Sequence, residues 1–153
     1  GLMAALCGAG LDACGVDWAK NKHQPTIPIL HVDLTSPEGQ HFIMQMLEDP
    51  TLMYVHMGPP CGTFTRARER PIPEHLWEQK APNPQPLRSD QRPEGLSPRH
   101  LTPLDSLKVE KGNVIAEFCA RVAQYCLDNG KLFTIENPTG SLLWKLPAYN
   151  IRD

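Results

Sequence analysis

Hydrophobic and polar positions along this chain switch between two spacings, and the switches mark its elements. Leu2 to Leu6 reads as a short helical stretch ended by Gly8 and Gly10. Ala13-Cys14-Gly15-Val16 is an apolar run of strand length ending in Asp17, and Ile29-Leu30-His31-Val32 is another ending in Asp33. Ser36-Pro37-Glu38 opens a helix, with a capping hydroxyl, a proline where the N–H would have no partner anyway, and an acid at the positive end of the dipole. Phe42, Ile43, Met46 and Leu47 then share one face until Asp49-Pro50 stops it. Leu52-Met53-Tyr54-Val55-His56-Met57 is a buried strand, with His56 an ordinary strand residue, broken by Gly58-Pro59-Pro60. Asn113 is placed to cap a helix carrying Val114, Ile115, Phe118, Cys119, Val122, Cys126 and Leu127 on one face, closed by Asn129-Gly130. Lys131-Leu132-Phe133-Thr134-Ile135 is a strand ending in Glu136-Asn137-Pro138; Ser141 and Trp144 start and pack a short helix. Strands alternating with helices predict a parallel sheet with both faces covered.

Residues 62–110 break this rhythm. Half of the 16 prolines lie here (Pro71, Pro73, Pro82, Pro84, Pro86, Pro93, Pro98 and Pro103), which predicts little regular structure. Arg66, Arg68, Arg70, Arg88, Arg92 and Arg99 share the stretch, as solvated surface or phosphate contacts in equal measure.

Length and composition narrow the class. A chain of 153 residues accommodates one compact domain, and no apolar run reaches the roughly 18 residues of a spanning helix, so no membrane is expected. The start lacks a basic flank and is not read as a signal peptide; beginning with Gly, the chain reads as an excised piece. A net charge of -2 confines any nucleic-acid contact to a local basic strip. Five cysteines is an odd number, without a C-x-x-C pair, which speaks against a disulfide framework or structural zinc and for a reducing, intracellular setting, nucleus or cytoplasm unresolved. Cys7, Cys119 and Cys126 read as structural.

Four polar features end the four strands: Asp17, Asp33, Pro59-Pro60-Cys61 and Glu136-Asn137-Pro138. In open α/β sheets the ligand crevice lies beyond the carboxyl ends of the strands, so all four are expected to face one crevice. A carboxylate there accepts from ribose hydroxyls. Asp17 suits that role, Trp18 offers an aromatic face for a purine, and Asp33 accepts from an exocyclic amine. Cys61, after two prolines, sits in a stiff turn that presents its sulfur, whose thiolate is the reactive form. Glu136 suits a proton donor.

These motifs carry a resemblance. Gly58-Pro59-Pro60-Cys61-Gly62-Thr63-Phe64-Thr65 resembles the Pro-Cys nucleophile motif of the cytosine-5 DNA methyltransferase family, and Glu136-Asn137-Pro138 its Glu-Asn-Val motif with Pro for Val. Gly15-Val16-Asp17-Trp18 is similar to its cofactor-ribose motif and Asp33-Leu34 to its adenine-contacting acid. The resemblance covers most of residues 1–145 apart from the Pro/Arg-rich loop at about 65–110. It implies a Rossmann-like, S-adenosylmethionine-dependent sheet over 1–153, incomplete, with the first strand and the C-terminal part missing. The implied cofactor contacts are Gly1, Asp17, Trp18, Asp33, Leu34 and Pro59. The implied contacts to a flipped cytosine in DNA are Pro60, Phe64, Arg66, Arg68, Asn137 and Pro138. The implied chemistry is attack of Cys61 on C6, charge stabilisation by Glu136 at N3 and the exocyclic amine, and methylation at C5, with no metal. No Arg-x-Arg motif follows later in the chain; Arg66-Ala67-Arg68 stands as its substitute.

Three other readings compete. An exocyclic-amine methyltransferase would carry Asp, Ser or Asn before the two prolines and an aromatic after them, where this chain has Gly58 and Cys61. A relic of a mobile-element methyltransferase would survive as a nucleic-acid-binding or interaction segment. A thiol hydrolase would need a base for Cys61, and His56 lies on the same strand with nothing else to orient it.

Overall fold

The computed structural model describes residues 2–19, 28–74 and 83–150, and it divides at Leu47 into two units. The Gly1 contact expected from sequence lies outside the described residues.

The first unit, 1–47, holds helix α1 (Leu2–Gly8), strand β1 (Gly15–Asp17), strand β2 (Ile29–His31) and helix α2 (Pro37–Leu47). The strands pair in parallel, Gly15 with Ile29 and Asp17 with His31, and the ladder runs one residue further through Val32 N–H to the Asp17 carbonyl. The start of α2 is fixed as the sequence predicts: the Ser36 hydroxyl accepts from Gly39 N–H at 3.0 Å, and Pro37 and Glu38 fill the first turn. Gly39 is there because the Asp33 carbonyl passes beneath it; a Cβ on residue 39 would sit 2.1 Å from that oxygen. Gly39→Ala is therefore expected to lower this unit's stability by at least about 1–3 kcal/mol, the ordinary cost of overpacking. Limited proteolysis checks this, because faster cleavage should be confined to residues 2–47.

The second unit, 48–153, contains strand β3 (Tyr54–Met57), helix α3 (Pro103–Asp128) and strand β4 (Leu132–Ile135), with 3₁₀ turns at Arg66–Glu69, Pro98–His100, Leu142–Lys145 and Pro147–Tyr149. β3 and β4 are parallel, Tyr54 opposite Leu132 and Met57 opposite Ile135. Helix α3 packs on one face of this pair. The expectation that both faces are covered does not hold in this unit. Tyr54 and Leu132 remain 40% and 69% exposed, and the open face is one where hydroxyl and imidazole groups bond to one another instead of to a core.

Helix α3 begins eleven residues before the sequence suggested. Thr102 caps it by accepting from Asp105 N–H at 3.1 Å, and Pro103 occupies the first turn, where a missing N–H costs nothing. A proline read as a loop marker is thus a helix start. Asn113 lies inside the helix, and its side chain reaches across to the Pro/Arg-rich loop. The core combines Phe64, Ala116, Leu142, Leu143 and Leu146, with Tyr149 against it. Cys119 and Cys126 are buried on α3, and burial pushes the Cys119 thiol up to about 12, an inert group as expected. Cys7, read as structural, is exposed instead.

Candidate active site

The sequence places a thiol loop after β3 and a carboxylate after β4, and pairing of these strands brings the two motifs side by side. The ladder extends past both strand ends: Glu136 N–H donates to the Met57 carbonyl at 2.8 Å. One residue on, the Asn137 amide donates to the Pro59 carbonyl at 2.9 Å, a direct bond between the Gly-Pro-Pro-Cys and Glu-Asn-Pro segments. Pro59, an expected cofactor contact, is buried, with its carbonyl bonded to Asn137. Pro60 and Cys61 are exposed, and the Cys61 carbonyl accepts from both Phe64 and Thr65 N–H, closing a tight turn directly behind the thiol. The Glu136 side chain is 80% exposed, with Oε2 3.6 Å from His56 Nε2. Asn137 Oδ1 is buried and lacks a hydrogen-bond partner among the described residues, a locally costly arrangement of about 1–3 kcal/mol.

Phe64 was expected to face a substrate. It is fully buried, and its backbone carbonyl accepts from Leu142 N–H. An aromatic ring one turn beyond the thiol anchors the Cys61 turn to the core, which is its role here. Arg66 and Arg68, the other expected substrate contacts, are half-buried and held within the chain. Arg66 meets Glu69 at 3.1 Å and Asp90 at 2.5 Å, and Lys145 also binds Asp90. The hydrogen bonds from Arg66 and Lys145 hold the Asp90 carboxyl down at about 2. Arg68 donates to the carbonyls of Gly62 and Gln85. Pro138 is exposed, and its carbonyl takes the Trp144 indole N–H, so the packing role read for Trp144 is realised as a hydrogen bond.

The residue that sequence reasoning missed is Arg88. It is 2% exposed and lies over the Phe64 ring at 3.6 Å. Its guanidinium donates to Thr63 Oγ1, to Asn113 Oδ1 and to the carbonyls of Pro93 and Val109. Burial pulls its pKa down to about 10, which leaves it charged at neutral pH. Gly112 is small because a Cβ there would lie 3.0 Å from both Arg88 Nη2 and Thr63 Oγ1. The guanidinium therefore ties the Pro/Arg-rich loop, the thiol turn and α3 into one assembly. Asn113 inside an otherwise amphipathic helix is the available signal, and its capping chemistry points instead to a helix start.

In the first unit, Asp17 and Asp33 end or follow paired parallel strands. Asp17 Oδ1 accepts from Trp18 N–H at 2.7 Å, and the Trp18 side chain is half exposed beside it. Asp33 Oδ1 accepts from the N–H and hydroxyl of Thr35, an Asx turn leading into α2, while Leu34 is half-buried with its carbonyl bonded to Gln40. Asp33 thus has a local capping role.

No protein-family model matches the chain, and neither any curated protein nor any solved structure matches it.

Proposed function

We propose that this chain carries the nucleophile and acid of a cytosine-5 methyl transfer on DNA, with Cys61 bonding to C6 and Glu136 hydrogen-bonding the ring at N3. The observation that carries the reading is the Asn137–Pro59 hydrogen bond, which joins the two motifs at adjacent carboxyl ends of parallel strands. Both reactive groups are exposed there, as a flipped base requires, while Phe64 and Arg88 hold the thiol turn from behind. Attack of the thiolate at C6 pushes the ring electrons towards N3; a proton held on Glu136 neutralises them, and C5 becomes the nucleophilic carbon. Asp17 and Trp18 fit S-adenosylmethionine in kind, a carboxylate for ribose hydroxyls beside an exposed indole for the purine. When bound, that cofactor supplies the electrophilic methyl group.

The test uses duplex DNA of mixed sequence with 5-fluorocytosine at every cytosine, incubated with the full chain and S-adenosylmethionine. Fluorine at C5 cannot leave as a proton does, so the covalent complex persists. A denaturation-resistant adduct, mapped by mass spectrometry to Cys61, is the expected result. Absence of any adduct at saturating cofactor overturns the reading in favour of a non-catalytic, nucleic-acid-binding relic.

A further inference from the structure

The open face of the β3–β4 sheet carries a line of polar groups that leads to Glu136. Period-2 geometry puts Tyr54 and His56 of β3 on the same face as Thr134 of β4 and Glu136 beyond it. Tyr54 Oη lies 2.6 Å from Thr134 Oγ1, Thr134 Oγ1 lies 2.9 Å from His56 Nδ1, and His56 Nε2 lies 3.6 Å from Glu136 Oε2. Among the described residues, the titratable groups facing His56 are Glu136 on the neighbouring strand and, through Thr134, Tyr54.

We infer that His56 is a positioning residue for Glu136: it holds the carboxyl group in place and exchanges a proton with it, at the end of a Tyr54–Thr134–His56–Glu136 relay. The catalytic consequence rests on the methyl-transfer reading above; the coupling itself does not.

Proton accounting sets the direction. Thr134 has one hydroxyl proton to share between two neighbours. If Tyr54 donates to Thr134 and Thr134 donates to Nδ1, the remaining ring proton is on Nε2, the atom facing Glu136. If Nδ1 instead donates to Thr134, which donates to Tyr54, Nε2 presents a lone pair to a protonated Glu136. Proton transfer then breaks the Glu136 O–H bond and forms the His56 Nε2–H bond, replacing a neutral pair by an ion pair with no other bond changed. The Glu136 side chain is 80% exposed, and among the described residues His56 is its side-chain contact. A separation of 3.6 Å is ion-pair range, and such contacts tighten when substrate binds. Exposed pairs contribute little to stability, so substitutions at His56 leave folding intact and report on the site.

The experiment compares wild type, His56→Gln, Thr134→Val and Glu136→Gln as full chains. In ¹⁵N NMR at fixed pH, the His56 Nε2 resonance should move on Glu136→Gln and the Nδ1 resonance on Thr134→Val. In the fluorocytosine trap, His56→Gln should slow adduct formation by roughly tenfold and lose one limb of its pH profile, with an unchanged thermal midpoint. A His56 Nε2 signal indifferent to Glu136→Gln, or a His56→Gln protein with the wild-type rate and pH profile, overturns the inference. Coupled resonances in a protein that traps no DNA at all uphold the relay and sink the methyl-transfer reading instead.

Discussion

Replacing Arg88 by Met is expected to destabilise the second unit by about 3 kcal/mol, lowering its thermal midpoint by roughly 10–20 °C. The guanidinium serves acceptors on three segments: Thr63 in the thiol turn, Pro93 in the loop, and Val109 and Asn113 on α3. A thioether fills similar volume and donates to none of them. Each buried acceptor left unpaired costs about 1–3 kcal/mol. The sum is reduced because Met, unlike Arg88, carries no charge to desolvate, a burial large enough to pull the Arg88 pKa down. Arg88→Lys should fall between, since an ammonium at a single point cannot bridge acceptors on both sides of a planar fork. Urea unfolding of the three proteins orders them as wild type, Lys, Met. An Arg88→Met midpoint equal to wild type would mean that the hydrogen bonds merely replace those to water, with no net contribution.

That residue also shows where the sequence stopped being informative. Strand ends and the α2 cap were legible because each depends on local spacing: a period, a capping hydroxyl, a proline after a strand. The register of β3 on β4, which sets the Cys61 and Glu136 motifs side by side, is not fixed by parallel pairing alone. Arg88 was not legible, because its partners lie 5 to 25 residues away, on a loop, a turn and a helix, and nothing in composition separates it from the other five arginines of the loop. The same blindness misplaced the start of α3. Pro103 is a breaker in a loop and a favoured first residue in a helix, and only the Thr102 cap decides between them. Phe64 is a base contact only by the resemblance of its motif. The turn geometry at Cys61 points it inward instead, so a single sequence shows which residues cluster but not which of them face water.

If the thiol and the carboxylate act on one ring, the bond from the Asn137 side chain to the Pro59 carbonyl should matter nearly as much as the groups themselves. Cys61→Ala is expected to abolish the fluorocytosine adduct outright, because no other atom at the site supplies a nucleophile to C6. Asn137→Ala keeps both reactive groups and removes the donor to the Pro59 carbonyl. It also removes the orphaned Oδ1, so its net cost in stability is small, about 1 kcal/mol or less. The rate should nonetheless fall by roughly 100-fold, the scale of a 1 Å misplacement between reacting groups. Asn137→Asp makes the sharper comparison, since it sets a carboxylate oxygen against the Pro59 carbonyl and pushes the two loops apart. Single-turnover trapping at saturating DNA separates these cases from weak binding. An Asn137→Ala protein that traps as fast as wild type would show that Cys61 and Glu136 do not depend on each other's position, and the link that places them over the same base would then carry no chemistry.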